Sequence, residues 1–147
     1  MPTRHARTAW TGTLQEGSGQ VELSSSKVGT YDVSFPKRAA DDAGGTTSPE
    51  ELIAAAHSAC FAMQLSALIG EAGGTVESLE VSADVSLGPD EDNGGFKLTG
   101  IQLTVRGEVE GLDADAFQTA AQAAKVGCPV SKALAAVEIT LDAALKS

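Results

Sequence analysis

The sequence predicts a single α+β domain whose strands are mostly antiparallel. Its 147 residues are enough for one domain with a substantial core. Segments of alternating apolar and polar residues indicate strands, while one long apolar segment and two shorter ones have helical spacing. The predicted order is three strands, a long helix, two strands, two helices and a last strand, with no internal repeat.

Composition excludes several classes of protein. A hydrophobic content of 42% is typical of a globular chain. The net charge of -10 and the pI near 4.5 do not suit binding to nucleic acid or to an anionic membrane. Arg4 and Arg7 near the N-terminus are not followed by an apolar run, so we expect no signal peptide and a cytoplasmic protein.

Three short strands are expected in the N-terminal part. Residues 10–14 and 20–23 are predicted to be strands joined by a glycine-bearing turn. A third strand has Tyr31, Val33 and Phe35 on one face, and Pro36 is predicted to end it. Polar residues and glycines predict a loop over residues 37–47.

The long helix has a clear start and end. Ser48 is a suitable N-cap, Pro49 suits the first helical position, and Glu51 is placed to complete a capping box. Glycines at 70, 73 and 74 are expected to end the helix. Residues 52–69 carry no charge and reach the length of roughly 18 residues at which a membrane span is considered. Polar residues and many alanines within this segment favour the buried central helix of a soluble domain instead. One apolar stripe is predicted along it, at positions 52, 53, 56, 59, 60, 63 and 67.

The C-terminal half begins with two strands, over residues 76–87 and 96–109. A slip in the apolar phase of the second strand predicts a bulge at Thr99 and Gly100. A helix is expected from Asp113, with one face formed by Phe117, Ala120, Ala121 and Ala124. Gly127 should end it, a short helix should start near Cys128, and a last strand should run through residues 139–145.

The two cysteines are the candidate reactive residues. A structural disulfide is not expected in a chain without a secretion signal, so a reversible dithiol is the first hypothesis. Cys60 lies on the apolar helix, where ordinary core packing is an alternative interpretation. Cys128 precedes a helix start, where backbone N–H groups favour a thiolate. Local chemistry alone therefore makes Cys128 the more acidic thiol.

Other side chains admit a functional and a structural interpretation. His57 is one turn from Cys60 and could pair with it, or bind a metal together with His5 and the cysteines, but a packing role with a hydrogen-bond partner is favoured. Four of the six aromatic residues, Trp10, Tyr31, Phe35 and Phe61, are expected to be core, with an apolar pocket as the alternative.

Four segments together resemble one protein family. They are residues 49–53 (PEELI), 55–63 (AAHSACFAM), 127–131 (GCPVS) and 138–142 (EITLD). The chain is similar along nearly its whole length to the osmotically inducible protein C (OsmC) family and its relatives, the organic hydroperoxide resistance (Ohr) proteins, and it is closer to the OsmC branch. The implied fold is OsmC-like, an intertwined homodimer with a mostly antiparallel sheet and a long buried central helix.

The resemblance also implies an activity and a set of site residues. It implies a cytoplasmic thiol peroxidase of stress defence that reduces organic hydroperoxides, and hydrogen peroxide more weakly, without a metal or other cofactor. Cys60 matches the attacking cysteine, Cys128 the resolving cysteine, and Glu50 the family's glutamate. Arg38 is our choice for the family's arginine, with Lys37 as a competitor. The implied partners are a second copy of the chain and an external dithiol, which in the Ohr relatives is a lipoyl group on a carrier protein.

Chemistry explains why these residue types are needed. Burial alone would raise the pKa of Cys60, so a cation such as Arg38, held by Glu50, must favour its thiolate. The sulfenic acid formed by peroxide would then condense with Cys128 to a disulfide. Two other functions stay open: a general thiol-disulfide oxidoreductase, and a non-catalytic stress or ligand-binding protein with incidental cysteines.

Helical geometry predicts where the site is built. Glu50 and Cys60 are ten residues apart on one helix, which corresponds to about 15 Å along its axis and to directions roughly 80° apart. We therefore expect an antiparallel copy of the helix to bring Glu50 and Arg38 of a second chain to Cys60.

Overall fold

A computed structural model describes residues 1–146. In the N-terminal part of the chain, three short strands pair in chain order. They are β1 (Arg7–Thr11), β2 (Ser18–Glu22) and β3 (Thr30–Val33), and both pairings are antiparallel. The first strand begins and ends three residues earlier than predicted. Gly12, with a φ of 95°, ends it, because this left-handed conformation is costly for residues with a Cβ.

A one-turn helix, α1 (Phe35–Arg38), replaces the start of the predicted loop. Ser34 is its N-cap and accepts a hydrogen bond from the Lys37 N–H at 3.4 Å, while Pro36 lies in its first turn. The prediction that Pro36 simply ends a strand was therefore wrong. A proline two residues after a serine is a helix-start signal, and the resulting turn carries Arg38 at its end.

The long helix α2 (Pro49–Glu71) has the predicted bounds. The Ser48 hydroxyl caps it by accepting the Glu51 N–H at 3.1 Å. The reciprocal half of the capping box does not form, because the Glu51 carboxylate accepts a hydrogen bond from the Thr47 hydroxyl instead. At the other end, Gly73 has a φ of 90°, as a glycine in a C-terminal cap commonly has.

The buried face of α2 differs from the predicted stripe. It carries His57, Phe61, Leu65 and Ile69, each with 0% of its surface exposed. The opposite face is exposed and apolar, and we call it the α2 stripe: Ala55, Ala56, Ala59, Met63 and Ala67. Periodicity could not identify the packing face because apolar residues surround the whole helix.

By length and composition α2 could cross a membrane, with a mean hydropathy of 1.7 over 18 residues. Only 22% of that segment is buried within the chain. The buried face nevertheless packs into a protein core, as expected for the central helix of a soluble fold.

The second sheet combines three strands: β4 (Thr75–Pro89), β5 (Phe96–Glu110) and β6 (Ile139–Leu145). The first pair is antiparallel, and the predicted bulge is confirmed, because Ser86 faces Gly100 and Leu87 faces Leu98. Thr99 is thus left without an opposite residue. The last strand lies parallel to β5, a direction that its alternating sequence could not reveal.

Two helices connect β5 to β6. The first, α3 (Ala114–Gly127), is capped by the Asp113 carboxylate, which accepts the Ala116 N–H at 2.8 Å. The second, α4 (Pro129–Ala133), starts directly after Cys128, as predicted. The four residues expected to share one face of α3 are all buried: Phe117, Ala120, Ala121 and Ala124.

One core joins α2, α3 and the second sheet. Its largest members are Phe61, Leu65, Ile69, Leu103 and Phe117, all with 0% exposure. Burying a side chain of this size stabilises the fold by about 1.5–3 kcal/mol. Helices packed on a mostly antiparallel sheet make this an α+β fold, in agreement with the sequence-based expectation.

Candidate active site

The two cysteines meet in the core although 68 positions separate them. Cys60, in the middle of α2, is partly exposed, and Cys128, the N-cap of α4, is wholly buried. Their Sγ atoms lie 2.8 Å apart, and both are free thiols. The arrangement is a reduced dithiol in which a small movement would permit a disulfide.

The two thiols are unequally acidic. Burial raises the pKa of Cys60, and the contact with Cys128 raises it further. At Cys128, burial is the largest single effect and acts to raise the pKa. It is outweighed by the combined effect of the Cys60 thiol, the N–H and hydroxyl of Ser131 and the N–H of Val130, so the pKa of Cys128 is lowered overall. Cys128 is therefore the more acidic thiol, as the helix-start argument suggested, and a Cys60 thiolate requires a further cation.

His57 and Ser131 form a second buried contact beside the thiols. His57 Nε2 and Ser131 Oγ are 2.6 Å apart, and the two residues are 0% and 4% exposed. Burial lowers the pKa of His57, so the ring is neutral. The favoured prediction of a packing histidine with a hydrogen-bond partner is confirmed. The sequence did not identify Ser131 as that partner, because the two positions are 74 residues apart.

Arg38 and Glu50 form an ion pair within the compact unit Met1–Leu52, which we call the N-terminal unit. Arg38 Nη2 contacts Glu50 Oε1 at 2.7 Å, and its Nε lies 3.2 and 3.1 Å from the two carboxylate oxygens. Within residues 1–146, Nη1 makes no hydrogen bond. The Glu50 carboxylate raises the pKa of Arg38. Burial acts to raise the pKa of Glu50, but the bonds from Arg38 and the backbone lower it overall. Both groups are therefore charged at neutral pH, and one edge of the guanidinium stays available for an anion.

The side chains of Lys37 and Arg38 make different contacts. Its side chain lies over Gly44, where an added Cβ would come within 2.7 Å of Nζ. In the described part of the chain it forms no ion pair with Glu50, whereas Arg38 does. Arg38, rather than Lys37, is therefore the cation that Glu50 holds.

An apolar groove of about 250 Å³ opens beside Arg38. Its apolar lining comes from the N-terminal unit: Trp10, Leu14, Val21, Val33, Phe35, Pro49 and Leu52. Of the aromatic residues predicted to be core or pocket, Trp10 and Phe35 line this groove, Phe61 is core, and Tyr31 is 41% exposed. The groove places a guanidinium next to a surface suited to a hydrocarbon group.

The predicted site residues thus occur as two pairs, Cys60 with Cys128 and Arg38 with Glu50. The chain divides into two units, Met1–Leu52 and Ile53–Ser147, and each unit holds one pair. Among residues 1–146, no three histidine, cysteine or acidic side chains are grouped as metal ligands would be.

Comparison with known proteins identifies the family. The family model described as OsmC-like protein matches residues 41–142. The chain is 46% identical to the peroxiredoxin OsmC of Escherichia coli, over 94% of this chain and 93% of that protein. It is 37% identical to the organic hydroperoxide resistance protein OhrA of Bacillus subtilis, over 83% and 85% of the two chains.

Solved structures have the same fold. The organic hydroperoxide resistance protein OhrB of Bacillus subtilis matches with a TM-score of 0.73 and 31% identity, covering 97% of this chain and 98% of that one. An organic hydroperoxide resistance protein from Elizabethkingia anophelis matches with a TM-score of 0.76 and 28% identity, covering 99% of each chain. The resemblance seen in the cysteine motifs is thus confirmed, and the chain belongs to the OsmC-like protein family, near its OsmC branch.

Proposed function

We propose that this protein is a cysteine-based peroxidase that reduces organic hydroperoxides to alcohols in defence against oxidative and osmotic stress. The observation that carries the proposal is the reduced dithiol, with the Sγ atoms of Cys60 and Cys128 2.8 Å apart. The names of the relatives, a peroxiredoxin and organic hydroperoxide resistance proteins, support the same chemistry.

The reaction has two steps at the dithiol. The Cys60 thiolate attacks the outer oxygen of the hydroperoxide, so the O–O bond breaks and the alkoxide leaves as an alcohol after taking a proton. Cys60 is then a sulfenic acid. Cys128 attacks its sulfur, forming the disulfide and releasing water, and the nearness of the two thiols supports this assignment.

Arg38 stabilises the Cys60 thiolate in this proposal, and Glu50 holds the guanidinium. The bonds through Nε and Nη2 leave Nη1 to face the sulfur or the peroxide. The raised pKa of Cys60 supports the need for such a cation, because burial and the contact with Cys128 outweigh the Val130 N–H and favour the thiol.

A second copy of the chain supplies that cation. The spacing of ten residues between Glu50 and Cys60 on α2 favours a site built from two chains. The α2 stripe supports the same dimer: its small residues allow close approach of another helix, and Met63 is 73% exposed. The proposed assembly is a two-fold homodimer with two equivalent sites.

The apolar groove indicates the substrate class. An alkyl or lipid hydroperoxide can place its hydrocarbon part in the groove and its polar end at Arg38. Hydrogen peroxide gains nothing from the apolar lining, so it should be the poorer substrate.

An external dithiol reduces the disulfide and completes the cycle. A lipoyl group on a carrier protein has the required chemistry, since its two thiols can open one disulfide and close another. The proposed location is the cytoplasm, where thiols are kept reduced and a dithiol can be regenerated.

A panel of substrates tests the function. Purified protein would be given alkyl, lipid and hydrogen peroxides with dithiothreitol, dihydrolipoamide or glutathione, and peroxide loss would be measured. We expect the highest kcat/KM for organic peroxides with a dithiol. If none of the tested peroxides oxidised Cys60, the proposal would be overturned.

One observation favours a second candidate, a thiol-disulfide oxidoreductase. The lowered pKa of Cys128 is a property that such enzymes use. Turnover of a model disulfide without any peroxide, at a rate above that of peroxide reduction, would favour this alternative.

A further inference from the structure

The apolar groove beside Arg38 has little capacity to hold a second charge. Its lining belongs entirely to the N-terminal unit and, within residues 1–146, includes one charged side chain, that of Arg38. This side chain is 33% exposed and already donates to both oxygens of the Glu50 carboxylate. The ion pair is neutral as a whole, so the groove offers an incoming anion only the remaining edge of one guanidinium.

The other polar groups of the lining cannot replace a cation. The indole N–H of Trp10 donates to a nearby backbone carbonyl at 2.9 Å, and the Thr47 hydroxyl donates to the Glu51 carboxylate at 2.5 Å. A negative charge therefore lies within hydrogen-bond distance of one lining residue. Thr8 and Ser34 contribute hydroxyl groups, which can donate one hydrogen bond each but carry no charge.

A carboxylate on the hydrocarbon part of a substrate would have two places in this groove. At Arg38 it would occupy the guanidinium edge that the proposed reaction needs for the thiolate or the peroxide, so the molecule would bind without reacting. In the orientation that reacts, the carboxylate would lie against the rest of the lining, without a counter-charge. Moving an ionised group from water to such a surface is costly unless the group is paired.

We propose that the groove selects hydroperoxides whose hydrocarbon part carries no negative charge, such as esters and other neutral organic hydroperoxides, over free carboxylic acids. The inference rests on the proposed peroxidase function and specifies its substrate class. The overall reaction is unchanged: the hydroperoxide is reduced to its alcohol, its other oxygen leaves as water, and the two thiols are oxidised to the disulfide.

Two substrates that differ by one charge test the selection. Cumene hydroperoxide with a para-carboxylate is compared with the methyl ester of the same compound, using wild-type protein and a dithiol. We expect kcat/KM to be on the order of tenfold higher for the ester, because only the carboxylate enters the groove as an unpaired ion. This ratio compares the reacting orientations alone, since binding in a non-reacting one changes kcat and KM equally. The rate of each peroxide with a free thiol corrects for intrinsic reactivity.

Salt separates the effect of the groove from that of the whole protein's charge. The net charge of -10 repels anions at long range, and about 1 M salt screens this repulsion because the Debye length falls to about 3 Å. The lack of a counter-charge in the groove acts at contact distance, where salt has much less influence. We therefore expect most of the preference for the ester to persist at high salt.

Leu14 offers a position at which the missing counter-charge can be supplied. It lines the groove and is 58% exposed, so a polar replacement should be compatible with folding, which thermal unfolding would verify. Leu14→Lys should raise kcat/KM for the carboxylate relative to the ester by roughly threefold at low salt, as expected for a partly exposed ion pair. Leu14→Gln is the matched control, because it removes the same apolar side chain without adding a charge. It should keep the wild-type ratio between the two substrates.

Three results would each overturn the inference while leaving the peroxidase function intact. They are equal use of the carboxylate and the ester by the wild-type protein, loss of the preference at high salt, and an unchanged substrate ratio in Leu14→Lys. Absence of reaction with either substrate and with cumene hydroperoxide itself would instead overturn the proposed function, and the substrate class inferred from it would fall as well.

Discussion

The Sγ atom of Cys60 lies 2.8 Å from that of Cys128, and the fold alone brings them together. Cys60 lies in the middle of the long helix α2, and Cys128 is the N-cap of the short helix α4. The pair is thus held by the packing of α2 and α4 in one core, and its chemistry can be tested by changing one sulfur at a time.

Replacing Cys60 and replacing Cys128 should have different effects on peroxide reduction. Cys60→Ser should abolish peroxide reduction, because the nucleophile is gone. Cys128→Ser should still undergo one oxidation and leave Cys60 as a sulfenic or over-oxidised acid. Mass spectrometry after one equivalent of peroxide distinguishes these results. A stable sulfenic acid on Cys128 in active Cys60→Ser protein would reverse the assignment.

Oxidation should join Cys60 to Cys128 within one chain. These are the only cysteines in the sequence, so the rival product is a bond between two chains. Non-reducing electrophoresis after peroxide treatment is the measurement, and a monomer-sized band that binds no alkylating reagent is expected. A covalent dimer as the main oxidised species would contradict the prediction.

Complementation should reveal a site shared by two chains. Cys60→Ser and Arg38→Ala are each expected to be inactive alone, but their heterodimer would contain one intact site and recover about half the activity per dimer. Differently tagged chains would be refolded together and the heterodimer purified.

Cys60→Ser mixed with Cys128→Ser is the matched control. Both cysteines of a site belong to one chain in this arrangement, so that heterodimer should stay inactive. No recovery in the test pair, despite a purified heterodimer, would mean that Arg38 and Cys60 act within one chain. Recovery in the control would instead mean that the two cysteines of a site come from different chains.

The ion pair between Arg38 and Glu50 should make the free energy of unfolding depend on pH in the acidic range. Arg38 lowers the pKa of Glu50 in the folded protein, against the opposing effect of burial. Its contribution is therefore present above the unfolded pKa, near 4.5, and is lost as the pH falls through the lower folded value. At pH 7, Glu50→Gln should cost about 1 kcal/mol in the free energy of unfolding, and the difference from wild type should vanish at low pH.

Chemical denaturation between pH 2.5 and 7 measures this difference. Glu71→Gln, at the exposed end of the same helix, is the control and should change little. A cost for Glu50→Gln that persists unchanged at pH 2.5 would show that the carboxylate charge is not its source.

Truncating the groove should weaken selectivity for organic peroxides. Phe35→Ala removes an aromatic wall beside Arg38 and should raise the KM for cumene hydroperoxide by roughly tenfold, from the loss of about 1.4 kcal/mol of apolar contact. The KM for hydrogen peroxide should stay near its wild-type value. Tyr31→Ala, outside the groove lining, serves as the control, and an equal change for both peroxides would argue against the groove as the binding surface.

Local signals in the sequence predicted most elements correctly. The Ser48 cap, the bulge at Thr99 and the buried face of α3 each depend on neighbouring residues, so the chain itself carries the information. The direction of β6 and the Ser131 partner of His57 depend on residues distant in sequence, and no local pattern encodes them. The packing face of α2 could not be predicted for another reason: apolar residues lie on every side of this helix, so its pattern does not indicate which face is outside.

Because the two thiols are unequally exposed, we expect a reductant to attack one particular sulfur of the disulfide. In the proposed cycle a reductant would reach the partly exposed Cys60, whereas Cys128 is wholly buried. Attack on the Cys60 sulfur would expel Cys128, whose lowered pKa favours it as the leaving group. We therefore expect the mixed disulfide with the reductant to form on Cys60, so that each proposed cycle would end on the sulfur where it began.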